Sequence, residues 1–457
     1  MSAILRNGAV DIQAFVDAQP LSGFQWRVLG LCFLVVALDG LDTAAIGFIA
    51  PALSQDWSLT PGQLNPVMVA ALAGLAVGAF ACGPLADRFG RKRILMLSVL
   101  FFGGFSLASA GSDSVAGLSV LRFLTGLGLG GAMPQAVTLM SEYCPQRRRS
   151  LLVTTMFCGF TLGSALGGIV SAHLVPLFGW RSILGLGGAL PLLILPALAL
   201  WLPESPRFLL LRPGNEARVA ALLRKIAALP AGWSGAFLDG VARDPATQVG
   251  RSPLQLIMAP ALRQGTVLLW GAFFMSLLII YLLTNWLPTL IKGTGLSLSQ
   301  AALLTALFQI GGTIGSIVLG ATMDRFNPYR VLALAYLAGA LCIGAIARFY
   351  YDFWLLGAFV AGVGFCISGS QVGANALAAA FYPTASRATG VSWALGAGRI
   401  GSIVGSLSGG AMLGLGWGIQ GIFSLLMLPA AIAALLIFIM GLRYRHARTT
   451  TATVTAH

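Results

Sequence analysis

Apolar runs of about twenty residues recur along the whole chain, and that is the length a helix needs to cross the hydrocarbon of a bilayer. Twelve are legible, at roughly 26–50, 65–86, 94–111, 115–140, 151–178, 182–202, 265–290, 299–322, 331–349, 353–381, 389–414 and 418–441. Lipid offers a peptide group no hydrogen-bond partner, so each run must satisfy its own backbone and form a helix. A β-barrel would instead show segments of about ten residues of alternating polarity, and none is visible. Only 9% of the 457 residues are charged and 57% are hydrophobic, against about 25% charged in a soluble domain. The sequence therefore predicts an all-α integral membrane protein with twelve transmembrane helices.

Charge sets the orientation. A net charge of +14 would by itself suit nucleic acid. Under the twelve-helix reading, however, most of the 28 Lys and Arg fall in connections on one side, among them Arg88, Arg91, Lys92, Arg93, Arg147, Arg148 and Arg149. Arg181, Lys292 and Arg348 fall on the other side, and Arg122 and Arg399 lie inside helices. This is the positive-inside pattern; it puts both termini in the cytoplasm and makes the basic excess a topology signal, with no nucleic acid partner. Six scattered cysteines without a CxxC pair predict packing residues, neither disulfide nor zinc. Residues 1–25 are polar, and the first apolar run is too long for a cleavable signal.

The longest polar stretch, 203–263, divides the helices into two sets of six. The expected organisation is a cytoplasmic N-terminal segment 1–25, a six-helix bundle 26–202, a central cytoplasmic loop 203–263, a second six-helix bundle 264–442 and a cytoplasmic tail 443–457. The halves repeat each other: GPLADRF (83–89) matches GATMDRF (320–326), and Pro145 and Arg149 match Pro383 and Arg387 at nearly the same offset. Two six-helix repeats joined by a central loop are the arrangement of a secondary transporter with a midplane site.

Several ionisable residues lie where hydrocarbon is predicted. Asp39 and Asp42, in LVVALDGLDTAAIGF, are three apart and share a helix face. An ionised Asp at a helix centre costs about 2.5–3.5 kcal/mol on insertion scales. Two neighbouring carboxylates in low dielectric resist ionising together and titrate as a pair, which is the property proton coupling requires. The competing reading is a structural ion pair with Arg122 or Arg399. Each arginine offers a planar fork that fits a carboxylate, so each is a candidate for an anionic substrate. Glu142 is either an inner-side proton acceptor or a solvated partner of Arg147–Arg149. Asn285, Gln309, Gln371 and Asn375 would bond substrate hydroxyls or join helices. Phe33, Trp286, Phe308 and Trp393 would sandwich a ring or pack the bundle. In GPLADRFGRKR, Gly83 permits close helix approach and Gly90 a tight turn. Asp87 among Arg88 and Arg91, with Asp324, Arg325 and Arg387 in the second half, predicts charged connections that dock and release as the halves rock; a plain basic anchor is the alternative.

GPLADRFGRKR and RFLTGLGLGGAMP (122–134) resemble the loop and fourth-helix motifs of the major facilitator superfamily. DGLD (39–42), RFLTGLGLGGAMPQAVTLMSEYCPQRRR (122–149), PESPRFL (203–209), NWLPTL (285–290) and FYPTASRATGVSWALGAGRIGSI (381–403) together resemble its aromatic acid:proton symporter family. That family's first-helix pattern is commonly Asp-Gly-aromatic-Asp, and Leu41 stands in the third position here. The resemblance implies the major facilitator fold, the inner membrane of a bacterium, a monomeric working unit and proton-driven import of benzoate, hydroxybenzoate or protocatechuate-type acids, with no cofactor and no enzymatic step. It also implies Arg399 as the carboxylate ligand and Arg122 as part of proton coupling. CGFTLGSALGGIV (158–170) resembles an antiporter motif, but Ser164 stands where that motif has proline. Proton-coupled export of drugs or organic ions, and uptake of hydroxyphenylpropionate-type acids or sugars, are the alternatives.

Overall fold

The apolar runs fold as long helices that overshoot the predicted limits at most ends. The computed structural model describes residues 5–6, 9–212, 214–230, 233–238, 253–382 and 387–444. Two short strands, β1 (Leu5–Arg6) and β2 (Ala9–Asp11), precede α1 (Ile12–Ala18). The long helices are α2 (Gly23–Asp56), α3 (Pro61–Phe89), α4 (Arg91–Ser109), α5 (Val115–Tyr143), α6 (Gln146–Phe178) and α7 (Arg181–Trp201). The polar stretch carries α8 (Pro206–Leu210), α9 (Glu216–Arg224), β3 (Phe237–Leu238) and α10 (Pro253–Ile257). There follow α11 (Pro260–Lys292), α12 (Leu298–Arg325), α13 (Pro328–Phe349), α14 (Phe353–Val363), α15 (Gly369–Phe381), α16 (Arg387–Gly414) and α17 (Ile419–Tyr444). Among the described residues eleven helices are long and apolar enough to cross a bilayer. One of them is interrupted: a π-turn at Gly364–Ser368 joins α14 to α15. The glycine-rich α16 occupies the predicted run 389–414 but is not one of the eleven.

Two compact units make up the chain. The first comprises Met1–Thr43, Ala70–Ser164 and Arg181–Thr247; the second comprises Ala44–Val69, Ala165–Trp180 and Gln248–His457. Small residues bring helix backbones together within each, the interaction that membranes favour where no hydrophobic effect drives association. In the first unit a Cβ at Gly126 or Gly130 would overlap the carbonyl of Ala71 or Leu75, and one at Gly74 or Gly78 that of Phe123 or Leu127. The same device joins α2 to α6, where Gly40 sits on Phe160 and Gly163 on Ala37. The core around them is built from Val35, Val36, Phe102, Leu139, Met156 and Leu198. In the second unit Gly401 and Gly405 pack on the carbonyls of Phe274 and Leu278, and Gly311 and Gly315 on those of Ala361 and Phe365.

The polar ends of the first unit form a small cap that periodicity did not predict. β1 pairs antiparallel with β2, and β2 pairs parallel with β3 in the register Val10↔Phe237. Asp11 caps α1 by accepting from the Ala14 amide. Val10, Ile12 and Phe15 bury against Phe208, Leu209, Val219, Leu223 and Phe237. Gln13, 5% exposed, accepts from Arg149 and Arg207 and donates to the Cys144 carbonyl. The cap thus grips the turn between α5 and α6.

One motif folds otherwise than the sequence predicts. GPLADRFGRKR is not a loop: Gly83 to Phe89 complete α3, Arg91 opens α4, and Gly90 alone turns between them with φ +105°. Gly90 is therefore required, because L side chains rarely adopt that conformation. Gly83 is not the close-packing residue expected, since a Cβ there would meet nothing within 4 Å.

Candidate functional site

The first unit buries an ion pair on α2 and α5. Asp42 is 0% and Arg122 0% exposed. Arg122 Nη2 lies 3.0 Å from Asp42 Oδ2. Arg122 Nη1 donates to Asp42 Oδ1 and Nη2 to the Asp42 carbonyl, each at 3.1 Å. Ser106 on α4 donates to the same Oδ1. Gly187 on α7 leaves space beside it, as a Cβ would stand 3.3 Å from that oxygen. Asp42 Oδ2 and Arg122 Nε carry no hydrogen bond among the described residues. Asp39, 1% exposed, accepts from Thr43 at 3.1 Å. Both carboxylates thus point into protein, where a lone charge is costly and a partner is needed. Gly40 between them admits Phe160, and Ser164 donates to the Gly40 carbonyl at 2.8 Å. The glycines of CGFTLGSALGGIV serve packing there: Gly159 and Gly163 receive α2.

Glu142 is buried, so it does not stand in solvent as one reading allowed. It is 6% exposed and accepts from the Ser205 hydroxyl. Burial is enforced by PESPRFL: Tyr143 donates to the Glu204 carbonyl at 2.6 Å, and Glu204 accepts from the Lys92 amide at 3.0 Å, opening α4. Asp87 and Arg88 are exposed; Asp87 pairs with Arg91 at 2.9 Å one helical turn on. Asp324 and Arg325 are exposed at the end of α12. Arg387 opens α16, and its side chain, like Pro383, lies outside the described residues.

The second unit holds a different arrangement. Arg399 on α16 is half-buried, and its Nη1 donates to Tyr281 Oη at 2.9 Å. Among the described residues no carboxylate pairs with it, which sets it apart from the neutralised Arg122. Asn285, one turn after Tyr281 on α11, donates to Ser406 Oγ at 2.8 Å. Trp286 donates to the Ser406 carbonyl at 2.7 Å. Gln309 reaches Thr284 at 3.4 Å, and Gln371 reaches Asn375 at 3.4 Å while leaving its buried Oε1 without a donor among the described residues.

The predicted aromatic residues divide. Trp286 and Phe308 are 0% exposed and pack helices in this structure. Trp393 has one face taken by Trp270, stacked at 5.6 Å, and is otherwise exposed. Phe33, in the first unit, is half-buried where α6 approaches at Gly159. Sequence reasoning missed Ser106, Ser205, Tyr281 and Ser406. Tyr281 carried a signal, since it shares a face with Asn285 at a spacing of four.

No group of His, Cys, Asp and Glu among the described residues has metal-binding geometry. The six cysteines are free, and burial pushes the Cys144 thiol up to about 12, so it stays protonated and inert.

Over residues 32–365 and 269–456 the chain matches the profile described as Major Facilitator Superfamily. It is 50% identical over 434 residues to the 4-hydroxybenzoate transporter PcaK of Pseudomonas putida, spanning 95% of this chain and 96% of that one. It is 49% identical to the gallate transporter of Pseudomonas putida over 96% of each chain. Among solved structures, a D-xylose-proton symporter aligns with a TM-score of 0.69 at 19% identity, over 91% of this chain and 98% of that one, a likeness of fold.

Proposed function

The chain belongs to the Major Facilitator Superfamily, a transporter and not an enzyme, and from that premise we propose that it imports aromatic carboxylates of the hydroxybenzoate class, driven by protons, across the inner membrane of a bacterium. Twelve helices cross the membrane in this reading, α16 included, with both termini in the cytoplasm. Relatives sharing about half their residues over nearly full length and named for 4-hydroxybenzoate and gallate support the substrate class.

One contrast carries the assignment of roles. Arg122 is fully buried and already matched by Asp42. Arg399 is half-buried, held by a neutral phenol and unmatched by any described carboxylate. A guanidinium in low dielectric favours an anion strongly when none is supplied by the protein. The substrate carboxylate therefore goes to Arg399, with Asn285, Gln309, Gln371 and Asn375 as candidates for ring hydroxyls.

Proton coupling follows from the pair on α2. Protonating a carboxylate of the Asp39/Asp42 pair weakens the attraction that holds Arg122; on Asp42 the proton competes with the guanidinium, whose Nη2 lies 3.0 Å from Oδ2. Neutralised carboxylates and an anion-matched Arg399 lower the desolvation penalty of closing the site. The exposed charged ends of α3 and α12, with Asp87 and Asp324, are the gating elements in this proposal, and release follows at the higher cytoplasmic pH.

The test is uptake of labelled 4-hydroxybenzoate into proteoliposomes after an acid pulse outside. Accumulation above equilibrium that vanishes with the pH gradient is the expected result. Uptake indifferent to the gradient would reject coupling, and failure to compete by any aromatic acid would reject the substrate class.

A further inference from the structure

The glycine stripe of α16 sets Arg399 against α11. Gly401 and Gly405 bring the two backbones into close contact, with Gly398 seated on Leu277. Tyr281 is thereby fixed as the neighbour of the guanidinium; it is 7% exposed, and its Oη accepts from Arg399 Nη1 at 2.9 Å. A phenol that accepts through a lone pair still has a proton to donate. Among the described residues nothing accepts from the Tyr281 hydroxyl. A buried donor left unmatched is costly, so an acceptor is required at that place.

We propose that Tyr281 is a second ligand of the substrate carboxylate, its O–H donating to one oxygen while Arg399 pairs with the anion, so that the site is a mixed phenol–guanidinium receptor. This rests on the reading that Arg399 takes an aromatic carboxylate. The chemistry selects for the ionised acid over its amide or ester. A neutral head group loses the guanidinium attraction, and an amide turns an N–H toward donors. An anchoring tyrosine that only accepts from the arginine would gain nothing from a stronger O–H donor.

Labelled 4-hydroxybenzoate uptake by Tyr281→Phe, together with the fluorinated variant below, distinguishes the two. The phenyl ring keeps the packing and removes the donor. The apparent KM should rise roughly tenfold to a hundredfold, the range for a hydrogen bond to a charged group, with Vmax little changed. The preference for 4-hydroxybenzoate over 4-hydroxybenzamide as competitor should fall by a similar factor. An unchanged KM and an unchanged acid-over-amide ratio overturn the proposal. A 3-fluorotyrosine at position 281 preserves shape and strengthens the O–H donor. At mildly acidic pH it should tighten binding a few-fold, and affinity equal to or below that of the native protein overturns the proposal even where the Phe variant fails to fold. Native protein that carries no aromatic acid defeats the transport reading itself; native transport with both variants unaltered defeats only the role of Tyr281.

Discussion

Asp42 and Arg122 cancel each other's charge at a place where neither is exposed at all. Breaking such a pair leaves the survivor buried and unmatched, which costs about 3–5 kcal/mol. Asp42→Asn should therefore lower the thermal aggregation temperature of the purified protein markedly, and adding Arg122→Gln should restore most of the loss. An additive double variant would show that the pair is not coupled. Asp39→Asn should behave differently. Its carboxylate accepts from Thr43, and an amide oxygen can continue to accept that bond, so the Thr43 contact survives the substitution. Under the proposed coupling its proton site is nevertheless lost: accumulation against a gradient should fail while counterflow of labelled substrate persists. Full accumulation by Asp39→Asn would remove that residue from coupling. The presence of both carboxylates in hydrocarbon is plain from the sequence, because their cost demands a partner. The identity of the partners is not, since Ser106 and Arg122 lie 64 and 80 residues from Asp42 and only close packing of α2, α4 and α5 brings them in.

Helices in this protein meet through glycine, and the sign of a glycine substitution follows from what its Cβ would touch. On α16, a Cβ at Gly405 would overlap the Leu278 carbonyl, whereas one at Gly396 meets nothing within 4 Å. Gly405→Ala should destabilise by about 1–3 kcal/mol through overpacking. It should also weaken substrate binding, because α16 carries Arg399. Gly396→Ala removes backbone freedom at no steric cost and should be neutral or stabilising by up to about 1 kcal/mol. Paired thermal unfolding of the two variants checks this, and equal behaviour would show that the stripe does not hold α11 and α16 together. Element positions are legible in the sequence, because apolar length alone dictates them. The exceptions are informative. GPLADRF reads as a charged loop, but its side chains are tolerated at the exposed end of α3, and a single positive-φ glycine suffices for the turn. The run 353–381 reads as one helix, yet Gly364 and Gly369 pack tightly on α12 and the backbone accommodates them with a π-turn. The cap escapes detection because β1, β2 and β3 are two or three residues long, too short for periodicity, and the pairing of β2 with β3 spans more than two hundred residues of chain.

A transporter must return to its starting state, so the charge carried in one cycle is fixed by what accompanies the substrate. The fixed charges stay with the chain: Arg122 is matched by Asp42 within the first unit, and Arg399 is half-buried in the second. A hydroxybenzoate is a monoanion at neutral pH. In the proposed cycle, one proton loaded on the α2 carboxylates makes the loaded protein carry no net charge across, and the empty protein returns as it began. The proposal then has the pH gradient drive uptake, without the membrane potential. A second proton, which Asp39 and Asp42 together have the capacity to hold, would carry one positive charge inward and add about 2.3 kcal/mol per 100 mV, or roughly fifty-fold in accumulation. The buried ion pair favours the smaller number, because Asp42 remains bonded to Arg122 unless a proton displaces that bond, and discharging both aspartates at once would leave the guanidinium buried alone. Proteoliposomes clamped with potassium and valinomycin separate the two. At a fixed pH gradient, accumulation of labelled 4-hydroxybenzoate should be the same at zero and at inside-negative potential. A steep rise with inside-negative potential would mean that both carboxylates discharge in each cycle and that Arg122 finds another anion while they do.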